Sequence, residues 1–375
     1  MNATTNTTPP YAPATRTSKL AAVGLIAFLA AGFVSNGWGV LAQNMQLMRD
    51  NPSLDRVLDG TVMRDIAHHM SDAPLTAEAA RLQRGLGWLT LRDLGPRVRQ
   101  GCDGWLFLRD ELLVHRDAAL HAQARAATVA RVQQALGKHG IGLLVAVVPD
   151  KTRIESEHLC GLHRPAELQA RATDWIARLT ARGVPVVDLT PALQGVPGDA
   201  YLRTDTHWNE AGAGAAAQAI AQRIKALGTP LQPAAYTVQA KLQAPRQGDL
   251  VRLAGLDWLP ADWQPKGEIV QEHVYTAQAQ AATSADDLFG DAGLPTVAVL
   301  GTSYSRTSNF IPQLSQALGG AVGNFARDGG MFGGAAQAYF ASTSYAKTPP
   351  KLIVWEVNER DLQTPLADAD AVQVK

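Results

Sequence analysis

From Leu20 to Ala42 the chain runs for 23 residues without a charge. As a helix that length is enough to cross a hydrocarbon core of about 30 Å. Beyond it the apolar positions first follow a helical period. Residues 53–97 read as helices, with breaks near Pro74 and at Gly85 to Gly87. A glycine turn at Gly101 leads into an apolar strand ending at Leu108, and Glu111 to His139 is a long alanine-rich helix that Gly140 caps. From Ile141 the pattern alternates between continuous apolar runs and helices. Strands are expected over Ile141 to Val148, Val184 to Leu189, Thr296 to Gly301, Ala321 to Phe325 and Lys351 to Val357. The intervening helices are Ala166 to Arg182, Asn209 to Leu227, Arg306 to Leu318 and Gly334 to Lys347. Unbroken apolar strands are covered on both faces, so the expected fold is α/β, with a mainly parallel sheet flanked by helices. Residues 229–290, rich in Gln, Pro and Trp, interrupt the rhythm and read as an insertion of short strands and loops. The polar residues 1–18 and the tail 363–375 carry no capping signals and are expected to be disordered.

Charge assigns the first segment a direction. Arg16 and Lys19 precede the apolar run, so the positive-inside rule makes residues 1–19 a cytoplasmic lead, residues 20–42 an inner-membrane signal anchor, and the rest periplasmic. Cleavage after Val40-Leu41-Ala42 is the alternative, and it also exports the chain. Lys plus Arg and Asp plus Glu are equal at 34 each, so no excess of positive charge points to a nucleic acid. Cys102 and Cys160 are the only cysteines; one disulfide and two separate thiols stay equally open. Cys160 has His158 and His163 nearby, but no second ligand cluster completes a zinc site, and no metal or cofactor is implied.

Two strand ends carry the chemistry. Asp205 and His207 sit two apart in the loop entering the helix from Asn209, so the carboxylate can reach back to orient the imidazole. Ser303 follows the strand ending at Gly301, at the sheet end where open α/β folds place their ligands. A serine hydroxyl becomes a nucleophile when a base takes its proton, and the base needs a third group to hold its tautomer. Each element alone is common; their joint position at strand ends is informative. The Ser303 N–H, Gly330 and Asn358 are candidate donors to a tetrahedral oxyanion. Lys151 and Arg153 either line the same face or are exposed loop charges, and the latter fits their loop better. Trp208 is a candidate for stacking on a sugar ring, whereas Trp105 and Trp355 read as core.

Gly104 to Phe107, Val148 to Lys151, Asp205 to Trp208 followed by Gly212, Gly248-Asp249-Leu250, Gly301 to Ser305 and Trp355-Glu356 form an ordered series. In this series the chain resembles the AlgJ and AlgX type of alginate O-acetylation proteins, whose domain is a circularly permuted relative of the SGNH hydrolases. The resemblance spans about residues 83–361. It implies a triad of Asp205, His207 and Ser303 that moves acetyl groups onto hydroxyls of an exported polysaccharide, and it accounts for the Asp-His element preceding the serine. By the same comparison Gly330 and Asn358 fall where the hydrolases carry their glycine and asparagine blocks. AlgX members add a C-terminal carbohydrate-binding module; this chain ends soon after its last expected strand and so looks more like AlgJ. The implied partner is a membrane-bound O-acyltransferase that supplies acetyl. A polysaccharide acetylesterase using the same residues, and a non-catalytic scaffold of an export complex, are the competing expectations.

Overall fold

The computed structural model describes residues 16–42, 46, 48, 53–278 and 295–374. The chain divides into two compact units, Met1–Asp93 and Leu94–Lys375. The first 15 residues of the expected lead, and positions 279–290 of the expected insertion, lie outside the described residues.

In the first unit a helix covers Arg16–Ala42. Its Lys19–Ala42 portion is long and apolar enough to cross a membrane, and most of that stretch is exposed. This supports anchoring at the inner membrane with the remainder periplasmic. Three helices follow, Leu54–Leu58, Thr61–Ser71 and Pro74–Leu91. Pro74 opens the last of them at its first turn, where a missing N–H costs nothing. The expected break at Gly85 to Gly87 does not occur: one helix runs through both glycines, because an isolated glycine costs only about 1 kcal/mol in a helix otherwise built of good formers.

The second unit holds a five-stranded parallel sheet. Its members are β3 (Gly142–Val148), β4 (Val186–Asp188), β9 (Val297–Leu300), β10 (Val322–Asn324) and β11 (Leu352–Asn358), in the order β10-β9-β11-β3-β4. Register is fixed along the centre, where Leu352 to Asn358 pair one-to-one with Gly142 to Val148. Alternate residues feed two cores. Val145, Val147, Ile353, Trp355 and Val357 pack under the helices Ala118–Gly137, Arg171–Thr180 and Gly334–Phe340. Leu144, Ala146, Val297, Val299 and Val354 pack under Glu210–Ala226 and Phe310–Leu318. Burial on both faces is what the uninterrupted apolar runs required.

Smaller elements depart from the expected boundaries. β1 (Val98–Gln100) pairs antiparallel with β2 (Leu106–Leu108). The helix expected from Glu111 starts at Ala118, after a helical turn over Arg109–Leu112. The helix expected over 334–347 is two, because the Ser342 hydroxyl accepts the Tyr345 N–H and starts a second one. The insertion forms two antiparallel pairs, β5 (Tyr236–Ala240) with β8 (His273–Ala277) and β6 (Ala244–Arg246) with β7 (Glu268–Val270).

The tail corrects an expectation. Residues 363–374 are packed, not disordered, because the buried Arg125 reaches them through the Thr364 carbonyl at 2.6 Å and the Asp370 carboxylate at 2.9 Å. A polar tail gains order when a buried guanidinium needs partners. Cys102 and Cys160 form a disulfide with Cα atoms 5.5 Å apart, which decides the alternative the sequence left open and removes both thiols from metal ligation. It closes a loop across 58 positions. On the chain-entropy account, Cys160→Ser lowers stability by about 4 kcal/mol. The check is a urea unfolding curve of the full chain in detergent, whose midpoint falls equally for the variant and for reduced wild type.

Candidate active site

Asp205, His207 and Ser303 meet at the C-terminal end of the sheet. The loop after β9 carries Ser303 in a helical turn, Ser303–Arg306, and Thr302 caps that turn by accepting the Tyr304 N–H at 3.3 Å. Beneath it, Glu356 on β11 is fully buried and accepts the Thr302 N–H at 2.7 Å, the Thr302 hydroxyl at 2.9 Å and the Ser305 hydroxyl at 2.9 Å. Burial pushes the Glu356 carboxyl above its ordinary range, and these donors pull the other way. A side chain at Gly301 would meet Glu356 Oε2 at 2.4 Å, so the turn needs glycine there.

The Asp-His loop precedes the helix Glu210–Ala226, whose cap is Asn209 accepting the Gly212 N–H at 2.9 Å. Asp205 Oδ1 lies 2.6 Å from His207 Nδ1 and also accepts the His207 N–H at 3.0 Å. His207 Nε2 lies 2.7 Å from Ser303 Oγ. With Nδ1 held by a carboxylate as a donor, Nε2 is the acceptor for the serine hydroxyl. Burial raises the Asp205 carboxyl, but the His207 hydrogen bonds and charge, with Arg246 behind them, outweigh it and hold the group well below its ordinary range. The Tyr304 hydroxyl donates to the Thr206 carbonyl at 2.8 Å and the Ser308 hydroxyl to the Trp208 carbonyl at 2.6 Å, so the serine loop and the histidine loop are tied directly.

Several supports carried no assigned role in the sequence. Asp249 accepts the Thr206 N–H at 2.7 Å, donates its own N–H to Asp205 Oδ2 at 3.3 Å and places Oδ2 3.8 Å from His207 Nδ1. The Gly248 backbone is so close to Thr204 that a Cβ would sit 2.0 Å from the Thr204 oxygen, which explains glycine before that aspartate. His273 on β8 places Nδ1 2.6 Å from Glu210 Oε2, and Asn309 donates to both Glu210 and the His273 carbonyl, so the insertion is fastened beside the site. A lone acid inside the apolar run Leu352 to Val357 was the available signal for Glu356.

Lys151 and Arg153 are not exposed loop charges. Lys151 is fully buried and donates to the carbonyls of Leu106 at 2.7 Å, Arg203 at 2.9 Å and Asp205 at 2.9 Å, so one ammonium ties β2 to the Asp-His loop. Burial brings its pKa down to about 8. Arg153 donates to Glu359, which also takes Arg164 at 2.6 Å and the Asp150 N–H at 3.0 Å, in a network across the ends of β3 and β11. Trp208 is likewise no sugar platform; it is completely buried against Phe310 and Tyr304. Gly330 donates its N–H to the Arg327 carbonyl at 3.2 Å, and the Asn358 amide donates to Asp361 at 3.2 Å. The Ser303 N–H has no partner among the described residues. Asp205, His207 and Asp249 also lie at metal-ligand spacing, but the Nδ1 electron pair such a metal would use is taken up by the proton shared with Asp205.

A parallel sheet with this Ser, His and Asp arrangement at its C-terminal end is the layout of a serine hydrolase-like α/β domain. Residues 98–359 match the family model described as the SGNH hydrolase-like domain of the acetyltransferase AlgX. The chain belongs to that family, which gives it an acyltransferase type of enzymatic role. It is 34% identical over 304 residues to the probable alginate O-acetylase AlgJ of Pseudomonas syringae pv. tomato, covering 79% of this chain and 76% of that one. It is 31% identical over 301 residues to the corresponding protein of Azotobacter vinelandii, covering 79% and 77%. The solved O-acetyltransferase domain of Pseudomonas putida AlgJ superposes with a TM-score of 0.63 at 29% identity, covering 73% of this chain and 95% of that domain.

Proposed function

We propose that the chain is a membrane-anchored periplasmic O-acetyltransferase that acetylates hydroxyls of an exported polysaccharide through Ser303, His207 and Asp205. The observation that carries this is the hydrogen-bonded line from Asp205 through His207 to Ser303, at 2.6 and 2.7 Å, in a member of an acetyltransferase family. As Ser303 Oγ attacks the carbonyl carbon of an acetyl donor, its proton passes to His207 Nε2, and Asp205 stabilises the imidazolium. The tetrahedral intermediate collapses, the leaving group takes that proton, and acetyl remains on Ser303. A sugar hydroxyl then gives its proton to Nε2 and attacks the acetyl carbonyl; the intermediate expels Ser303 Oγ, which takes that proton back from Nε2, and the sugar acetate and free serine are released. The unpartnered Ser303 N–H is the first donor to the oxyanion. Asn358 spends one of its two amide hydrogens on Asp361 and keeps the other to offer, whereas Gly330 joins only by releasing Arg327. The relatives named as probable alginate O-acetylases support an exported polyuronate as acceptor; the resemblance to alginate O-acetylation proteins implies a membrane-bound O-acyltransferase as the acetyl supplier.

The test uses the full chain in detergent with an activated acetyl ester, with and without oligosaccharide. Transfer predicts acetylated oligosaccharide at the expense of free acetate. Free acetate at a rate indifferent to the acceptor would overturn the transferase reading and leave an esterase.

A further inference from the structure

The exported portion nearest the anchor carries apolar side chains that the first unit leaves uncovered. On the helix Pro74–Leu91, Leu75, Ala79, Leu82, Leu86 and Leu89 recur at alternating spacings of four and three, and all are exposed. They form a single stripe along about 20 Å of helix. The preceding helix repeats the device with Met63, Ala67 and Met70, and Leu54, Val57 and Leu58 are exposed on the first short one. Ten exposed large apolar residues between Leu54 and Leu91 exceed what scattered surface hydrophobics account for.

The start of this helix shows where the stripe lies. Pro74 has no N–H to satisfy, and the next one, from Leu75, donates at 3.0 Å to the Ser35 hydroxyl of the anchor helix. Its own cap position is Ala73, which offers no side-chain acceptor. A helix end in water needs no such arrangement, whereas one at membrane depth must satisfy its first N–H groups from protein. Pro74 also lines an apolar hollow with Ala30, Ala31, Val34 and Trp38 of the anchor. Ser35, the polar interruption in the apolar run, therefore has a task.

The depth follows from the helical rise. Ser35 lies seven positions before Ala42, about 10 Å along the axis, and a 24-residue span exceeds a 30 Å core by about 6 Å. With that excess on the outer side, Ser35 sits roughly 5 Å inside the hydrocarbon edge, the depth at which interfacial helices seat their apolar faces. Arg81 and Arg84 lie off the stripe, where long side chains reach the headgroups. We propose that the segment 54–91 is a membrane-surface element: the helix Pro74–Leu91 lies in the plane of the outer leaflet of the inner membrane with its leucine stripe in the acyl boundary.

A single cysteine reports the arrangement, because Cys102 and Cys160 are bonded to each other. Leu82→Cys and, separately, Leu86→Cys are labelled with a fluorophore in the full chain, reconstituted into phosphatidylethanolamine–phosphatidylglycerol vesicles. Ala80→Cys, exposed on the other side of the helix, is the control. The expected result is several-fold stronger quenching at 82 and 86 than at 80 by a nitroxide near the top of the acyl chains, with aqueous iodide showing the reverse order. Equal iodide access at all three positions overturns the proposal. So does disulfide crosslinking of unlabelled Leu82→Cys between copies without nitroxide quenching, which assigns the stripe to a second copy of the chain. Neither outcome depends on the chemistry at Ser303.

Discussion

Ser303→Ala is expected to lower acetyl transfer by about 10⁴-fold or more while leaving the fold intact, since members of a nucleophile-base unit are worth several orders of magnitude each. The Ser303 hydroxyl makes one hydrogen bond, to His207, and Thr302, Tyr304 and Ser305 hold the turn without it. The change in stability therefore stays within about 0.5 kcal/mol, as for a surface substitution. Intact-mass measurement after incubation with the acetyl ester is the direct check: an acetyl adduct forms on wild type and is absent from the variant. Normal polymer acetylation by Ser303→Ala in cells, with loss on deletion of the chain, would assign the chain a scaffold role instead.

The parallel sheet was legible because both of its faces are covered, so β3 and β11 read as uninterrupted apolar runs whose ends needed no tertiary information. The pair Asp205 and His207 was legible for a similar local reason: a carboxylate two residues from an imidazole at a helix start is a short-range geometry. What was not legible depends on distant partners. Lys151 reads as a loop cation until three carbonyls, one from β2 and two from the Asp-His loop, converge on its ammonium. The tail reads as disordered until Arg125, some 245 positions away, is found to need Asp370. Trp208 beside the catalytic candidates suggested a sugar platform; its ring instead fills the space between the two loops the site requires, next to Tyr304. Gly330 and Asn358 were placed by strand order and by the family resemblance, and order along a sheet does not say which of their N–H groups already have partners.

Asp205→Asn is expected to cost nearly as much as removal of the serine, about 10⁴ in kcat, by the tautomer argument known for such triads. The hydrogen bonds here sharpen it. Oδ1 accepts from both His207 N–H and Nδ1, while Oδ2 faces the Asp249 N–H. An asparagine that keeps its oxygen toward His207 sets its NH₂ against the Asp249 N–H and toward Arg246. One that turns over presents NH₂ to Nδ1, makes that nitrogen the acceptor, and leaves Nε2 carrying the proton toward Ser303, where it cannot serve as base. The pH dependence separates the folded-state role from the chemistry. The wild-type carboxyl titrates below its unfolded value of 3.8, so its contribution to stability is complete above that value and is lost as pH falls through the lower folded value. Thermal melts from pH 6 down to 2 should show this acid loss reduced in the variant, while its transfer activity stays low at every pH. Recovery of activity at high pH to within tenfold of wild type would mean that Asp205 supplies only charge, and that Asp249, 3.8 Å from the same nitrogen, can hold the tautomer in its place.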